Sequence, residues 1–146
     1  MKILALETSA VTASVAITED EKLLGQSFQN SGLTHSVTLM PMVTQLLDNV
    51  GLTLHDIDVV AVAAGPGSFT GVRIGVAAAK GLAWTDGKPC APCSTLESMA
   101  WQCAHMEGEI CAVMDARRNQ VYAARFLAQN GTLTRLSEDA AIGLDQ

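Results

Sequence analysis

Basic residues are scarce in this chain: nine Lys and Arg stand against 15 Asp and Glu, a formal net charge of −6 over 146 residues. No uniform positive field therefore exists to collect the counterion-releasing phosphate contacts on which nucleic-acid binding depends. Any RNA contact is expected to be left to a partner. Histidine is equally thin: His35, His55 and His105 stand apart, and no H-x-x-x-H pair sets two ligands one helical turn apart, so no catalytic metal is expected. The run His105-Met106-Glu107-Gly108-Glu109 invites a metal reading but fits a solvated helix end and turn better. Long apolar runs are missing too. The most apolar region, Val59 to Trp84, is broken by Gly65, Pro66 and Gly67 and carries Arg73 and Lys80, so it fails as a membrane span of about 20 residues. Met1 to Thr8 has one basic residue and a β-like run in place of a leader's apolar stretch and cleavage pattern, which points to the cytoplasm.

Other chemistry is excluded by spacing. Ser68 lacks the G-x-S-x-G elbow and no His is placed beside it, so hydrolase chemistry has no support. The four cysteines, Cys90, Cys93, Cys103 and Cys111, include one C-x-x-C pair, which could mean redox chemistry or half of a zinc site. Pro92 splits that pair within an extended KPCAPC stretch, and a zinc site would need Cys103 and Cys111 to fold onto the same point. Small apolar residues filling a reduced core are the simpler reading.

What is present suits one well-packed core: 49% of the residues are hydrophobic and 16% charged, with little room for two complete domains. Lys2 to Glu7, Thr12 to Thr18 and Lys22 to Phe28 read as an antiparallel meander. From Thr34 the apolar positions Leu39, Val43, Leu46 and Val50, flanked by Met40 and Leu47, recur at helical spacing until Gly51. Pro41 lies inside that helix and predicts a kink. Ile57 to Ala64 is a continuous apolar strand of the kind covered on both faces, and a second helix is expected from about Thr70 to Trp84. A short strand at Lys88 to Cys93 and a helix from Ser94 or Thr95 to about Ala104 complete a β-β-β-α-β-α-β-α order.

A new hairpin begins at Glu109, with strands at Ile110 to Met114 and Gln120 to Leu127, a turn at Asp115 to Asn119, and a third strand near Thr132 to Leu136. It echoes the first, since Ile3 to Glu7 and Cys111 to Asp115 each bring an apolar strand to a carboxylate just before a turn. The echo suggests two related halves: an N-terminal subdomain over 1–108 and the start of a duplicate over 109–146, expected to be incomplete because the α-β-α continuation is not in the sequence.

The loop Gly65-Pro66-Gly67-Ser68-Phe69-Thr70-Gly71 joins a buried strand to a helix. Its glycines allow unusual backbone angles, and Ser68 or Thr70 can cap the helix. It has neither the Lys of a Walker loop nor the G-x-G-x-x-G spacing of a dinucleotide fingerprint, so structural turn and ligand site stand at even weight. Gly71, Gly75 and Ala79, joined by Ala78 and Gly81, clear one helix face for close packing, either within the core or against a second subunit. Arg73, a cation one turn into an apolar helix, needs a carboxylate, a phosphate or a route to solvent, with a buried or rim salt bridge as its plainest role.

GPGSFTGVRIG after a hydrophobic strand, with the opening KILALETS and the later STLESMA and DARRNQVYAARF, resembles the TsaB family, also called YeaZ. The resemblance covers essentially the whole chain. It implies an actin-like ATPase (ribonuclease H-like) α/β fold of two duplicated subdomains, and a part in forming N6-threonylcarbamoyladenosine on tRNAs that read ANN codons. In that reaction a TsaD-like transferase carries the metal and a TsaE-like subunit supplies ATPase activity. TsaB-like proteins join the TsaD-like subunit through a helical interface that also supports homodimers. The resemblance therefore implies a non-catalytic partner with no cofactor of its own, ATP or ADP and the metal ion being used by partner subunits, and with tRNA reached only through the complex. Leu39, Met40, Val43, Leu46, Leu47, Gly71, Gly75, Ala78 and Ala79 become interface candidates, and Glu7, Thr8, Ser9, Arg73 and Asp115 become candidate anion or nucleotide contacts. Thr95 and Met99 stand where TsaD-like proteins have metal-binding histidines, and Glu7-Thr8-Ser9 lacks the glycine and basic residue that favour phosphate approach. The rival readings are a small-molecule kinase or ATPase of the same fold and, more weakly, a glycoprotease-like metallopeptidase.

Overall fold

The computed structural model describes residues 1–145. It divides into two compact units, Met1–Ala64 with Ser68–Pro92, and Gly65–Gly67 with Cys93–Gln146. In the first unit β1 (Lys2–Glu7), β2 (Ala13–Glu19) and β3 (Lys22–Gln29) form the antiparallel meander, and β4 (Val59–Ala63) returns parallel to β1. With β5 (Cys90–Cys93) the strand order is β3-β2-β1-β4-β5. Alternation sets the register: Leu4 lies opposite Ile17 and Val60, and Leu6 opposite Val15 and Val62, so these six side chains share one face.

Two helices cover that face. α1 (His35–Val50) contributes Leu39, Met42, Val43, Leu46 and Leu47, and α2 (Phe69–Thr85) contributes Ala79 and Ala83. Each large aliphatic side chain buried there stabilises the unit by about 1.5–3 kcal/mol before chain entropy is counted. The helix α1 runs unbroken through the exposed Pro41 and stops at Gly51, whose φ of 70° only glycine adopts cheaply. On the opposite face of β4, Val59 and Ala61 are half-buried and Ala63 is buried, so the helix face is the more completely covered of the two.

A close contact joins α2 to the turn after β1. Thr8 is wholly buried and its Oγ1 donates to the Gly71 carbonyl at 2.7 Å. A Cβ at Gly71 would run into the Thr8 carbonyl oxygen, and one at Gly75 into Thr8 Oγ1. Gly71 and Gly75 therefore make room for Thr8 of this same chain, whereas Gly81 has open space around it.

In the second unit β6 (Gly108–Arg117), β7 (Gln120–Gln129) and β8 (Thr132–Arg135) form an antiparallel sheet, with β9 (Ala140–Gly143) pairing the start of β7. The short α3 (Thr95–Trp101) lays Leu96 and Ala100 on Ala112, Ala124 and Phe126. This packing places the division near Pro92 and Cys93, not at residue 108 where the echo of the hairpins predicts it: the apolar stripe of α3 finds its partners on β6 and β7. Arg135 seals the small core, its guanidinium 4.8 Å from the Phe126 ring centroid and paired with Glu97 at 2.8 Å and Asp139 at 2.7 Å. Those carboxylates, Asp139 foremost, hold its pKa above the usual guanidinium value.

The turn between β6 and β7 is tighter than the five residues expected, because pairing continues to Arg117 opposite Gln120 and leaves only Arg118 and Asn119 as the loop. Arg117, Arg118 and Asn119 have φ of 64°, 53° and 56°. A two-residue hairpin of this hand favours Asn or Gly. Asn119 conforms, whereas the left-handed conformation costs each arginine roughly 1–2 kcal/mol.

Two substitutions test this packing. Gly71→Ala is expected to destabilise the protein by about 1–3 kcal/mol or more, because the Thr8 backbone cannot yield as a side-chain tip can. Gly81→Ala, on the same helix with open space around it, is expected to stabilise by about 0.5–1 kcal/mol, and thermal melts of the pair read the difference. Separately, Phe126→Ala is expected to cost about 3–5 kcal/mol, read as faster amide exchange across β6 to β9.

Candidate functional site

The helix α2 starts where the glycine loop ends. Ser68 Oγ accepts the Gly71 N–H at 3.3 Å, so Ser68 provides the cap and the exposed Thr70 does not. The Ser68 N–H donates to the Ser9 carbonyl at 2.7 Å, fixing the loop's last residue to the turn after β1. His35, opening α1, reaches the same turn: its Nε2 lies 2.8 Å from the Ala10 carbonyl and so carries the proton. Within the second unit, the Gly65 carbonyl accepts the Thr95 N–H at 2.8 Å. Pro66 and Gly67 are half-buried beside it, and Gly65 has a φ of 113° that suits glycine. The loop is thus a set of structural anchors.

The anion-contact candidates are engaged locally. Glu7 accepts the Ser9 N–H at 2.5 Å, and Asp115 accepts the Arg117 N–H at 2.7 Å. Both hairpins use one device, in which the carboxylate near the end of the strand takes the N–H two residues on. A turn N–H aimed at its own carboxylate is not offered to a phosphate, and the carboxylate adds repulsion. Thr8 is spent on Gly71. Of the outcomes open to Arg73 the structure shows the route to solvent: it is exposed, with its guanidinium 5.0 Å from the Phe69 ring centroid in place of the plainer salt bridge. Residues i and i+4 meet on a helix face, and the exposed cation–π pair contributes about 0.5–1 kcal/mol.

The interface candidates need correction. Leu39, Val43, Leu46 and Leu47 are buried in the unit's own core, as are Gly71, Gly75 and Ala79, while Ala78 is half-buried. A charge at Ala79 would disrupt that core. Of those candidates Met40 alone remains outward, 42% exposed. The outward stripe of α2 instead carries Phe69, Arg73, Ala77, Lys80 and Trp84, with Phe69 75% and Trp84 86% exposed. On α1, Val37 is 61% exposed. The sequence holds the signal: Phe69, Arg73, Lys80 and Trp84 share one face at spacings of four, seven and four, opposite the glycines.

The C-x-x-C pair has no redox geometry. Residues three apart on an extended strand sit about 10 Å apart on opposite faces, beyond the reach of a disulfide. Cys90 packs at the margin of the first unit's core, and burial followed by the Glu97 charge pushes the Cys93 thiol above its ordinary pKa. Among the described residues no cluster of three or more His, Cys, Asp or Glu is placed to hold a metal ion, and no helix is long and apolar enough to cross a membrane.

Comparison with known proteins gives a consistent picture. Residues 26–146 match the family model described as TsaD, tRNA N6-adenosine threonylcarbamoyltransferase. The protein called tRNA threonylcarbamoyladenosine biosynthesis protein TsaB in Bacillus subtilis is 38% identical over 99% of this chain and 63% of its own length. Its namesake in Escherichia coli is 35% identical over 97% of this chain and 62% of its own. The solved structure of YeaZ from Pseudomonas aeruginosa superimposes with a TM-score of 0.88 at 31% identity, covering 97% of this chain and 66% of that one. The chain thus spans slightly under two thirds of the relatives it matches. The fold is the actin-like ATPase type of the TsaD family. With the glycine loop, the paired hairpins and these relatives in agreement, the chain belongs to the TsaD-type family and stands among its members named TsaB or YeaZ.

Proposed function

We propose that this chain is a non-catalytic partner in the biosynthesis of threonylcarbamoyladenosine on tRNA, docking a TsaD-like transferase through the outward faces of α1 and α2. The carrying observation is the pair Phe69 and Trp84, 75% and 86% exposed on one stripe of a helix whose other face is fully packed. Large aromatics held in water on a rigid helix are the anchors that protein interfaces use, and Arg73 and Lys80 between them supply polar contacts. Val37 and Met40 extend the apolar surface onto α1. The relatives' name places them in this pathway, and the likeness of this chain to the TsaD family supports a transferase of that family as the partner of the reading.

A role without chemistry is supported by the two turns. In each, the backbone N–H that could cradle a phosphate is held by a carboxylate of the chain itself, Glu7 or Asp115. In the proposed assembly ATP or ADP and the metal ion belong to the partner subunits, a TsaE-like ATPase joins the complex, and the complex works in the cytoplasm. The same helical face supports a homodimer when the chain is alone, an isologous contact that the transferase displaces.

Phe69→Glu with Trp84→Glu is expected to weaken association with the transferase by about 100-fold or more, as removal of two interface anchors should, and to leave the thermal melt of the isolated chain unchanged because neither side chain is buried. Isothermal titration of the transferase into each chain measures the first, and circular dichroism the second. Undiminished affinity in the double variant would remove α2 from the interface.

A further inference from the structure

The second unit contains four arginines and no lysine. Arg125 is paired with Glu109, and Arg135 with Glu97 and Asp139. Arg117 and Arg118, adjacent at the tip of the β6–β7 hairpin, are exposed and have no ion-pair partner among the described residues. They also break the local rule for their turn, standing in left-handed conformation where Asn or Gly would be relaxed. The tip is nonetheless held firmly. Asp115 fixes the Arg117 N–H at 2.7 Å, and the Leu144 N–H donates to the Asn119 carbonyl at 3.1 Å, tying the end of β9 to the turn.

A strained backbone that carries two cations without internal partners has no structural account, because Gly at either position would stabilise the same turn. The strain is accounted for by a ligand that needs two adjacent arginines on one rigid turn of an otherwise acidic chain. Guanidinium matches phosphate oxygens bidentately, and holding the tip rigid lowers the ordering cost of each interaction.

We propose that Arg117 and Arg118 grip the phosphate backbone of the tRNA once the chain is docked on its transferase, an inference that rests on the docking reading above. The net charge of −6 explains why the grip works only in the complex: two arginines cannot hold RNA against that field alone, but they can fix its path once another subunit holds it. The choice of RNA over an acidic protein follows from the pathway named for the relatives, whose substrate is itself a polyanion.

The test is filter binding of an unmodified tRNA transcript to the full-length chain assembled with its transferase, across a salt series, with assembly checked by co-elution. Arg117→Gln with Arg118→Gln is expected to weaken binding and to lower the slope of log affinity against log salt by about 2, roughly one for each phosphate that is no longer neutralised. Assembly stays intact. Arg117→Gly with Arg118→Gly is expected to weaken RNA binding to the same extent with a raised melting temperature, which separates the RNA interaction from any folding defect. An unchanged slope with intact assembly overturns this proposal alone. Disassembly in the Gln variant overturns it as well, by assigning the arginines to a protein interface. Failure of the unsubstituted chain to co-elute overturns the docking reading and this proposal with it.

Discussion

The packing of the Thr8 turn against Gly71 and Gly75 is the interaction on which the first unit depends. It brings α2 closer to the sheet than any side chain would permit, and it fixes the helix's rotation about its own axis. Once the glycine face is turned inward, Phe69, Arg73, Lys80 and Trp84 have no choice but to face water. The same packing uses the Thr8 hydroxyl and, through Ser68, the Ser9 carbonyl, so the turn nearest the candidate phosphate position is committed to structure. One steric fit thereby settles both which groups of the turn are engaged and which side chains of α2 are exposed.

The two hairpins share one local arrangement. In each, the acidic residue near the strand end accepts a backbone N–H of its own turn. That hydrogen bond neutralises the local dipole that would attract an anion. On this account the chain retains the scaffold of its family, and its contribution to the pathway is geometric.

Much of the fold is legible in the sequence because burial imposes period: the meander, both long helices and the glycine loop follow from alternating or 3.6-residue patterns that the core enforces. Direction of burial is harder to read. The stripe at Leu39, Val43, Leu46 and Leu47 shows that α1 has an apolar face, but not that this chain's own sheet consumes it. Gly71 and Gly75 announce a close neighbour without saying whose backbone it is. The assignment of α3 to the second sheet depends on Phe126, 30 residues beyond Leu96, and no local window carries such a pairing. Helix composition leaves Arg73 a carboxylate, a phosphate or solvent, and its position opposite the glycines selects solvent. The left-handed arginines are invisible for the opposite reason: nothing in turn chemistry favours them there.

The central claim is that this chain works by assembly, and reconstitution tests it most directly. Threonylcarbamoyl transfer to tRNA is measured with the TsaD-like and TsaE-like subunits in the presence and absence of the full-length chain. The account predicts transfer only when the chain is present, and no ATP turnover by the chain alone. Transfer at full rate without it, or ATP hydrolysis by the isolated chain, would contradict the account.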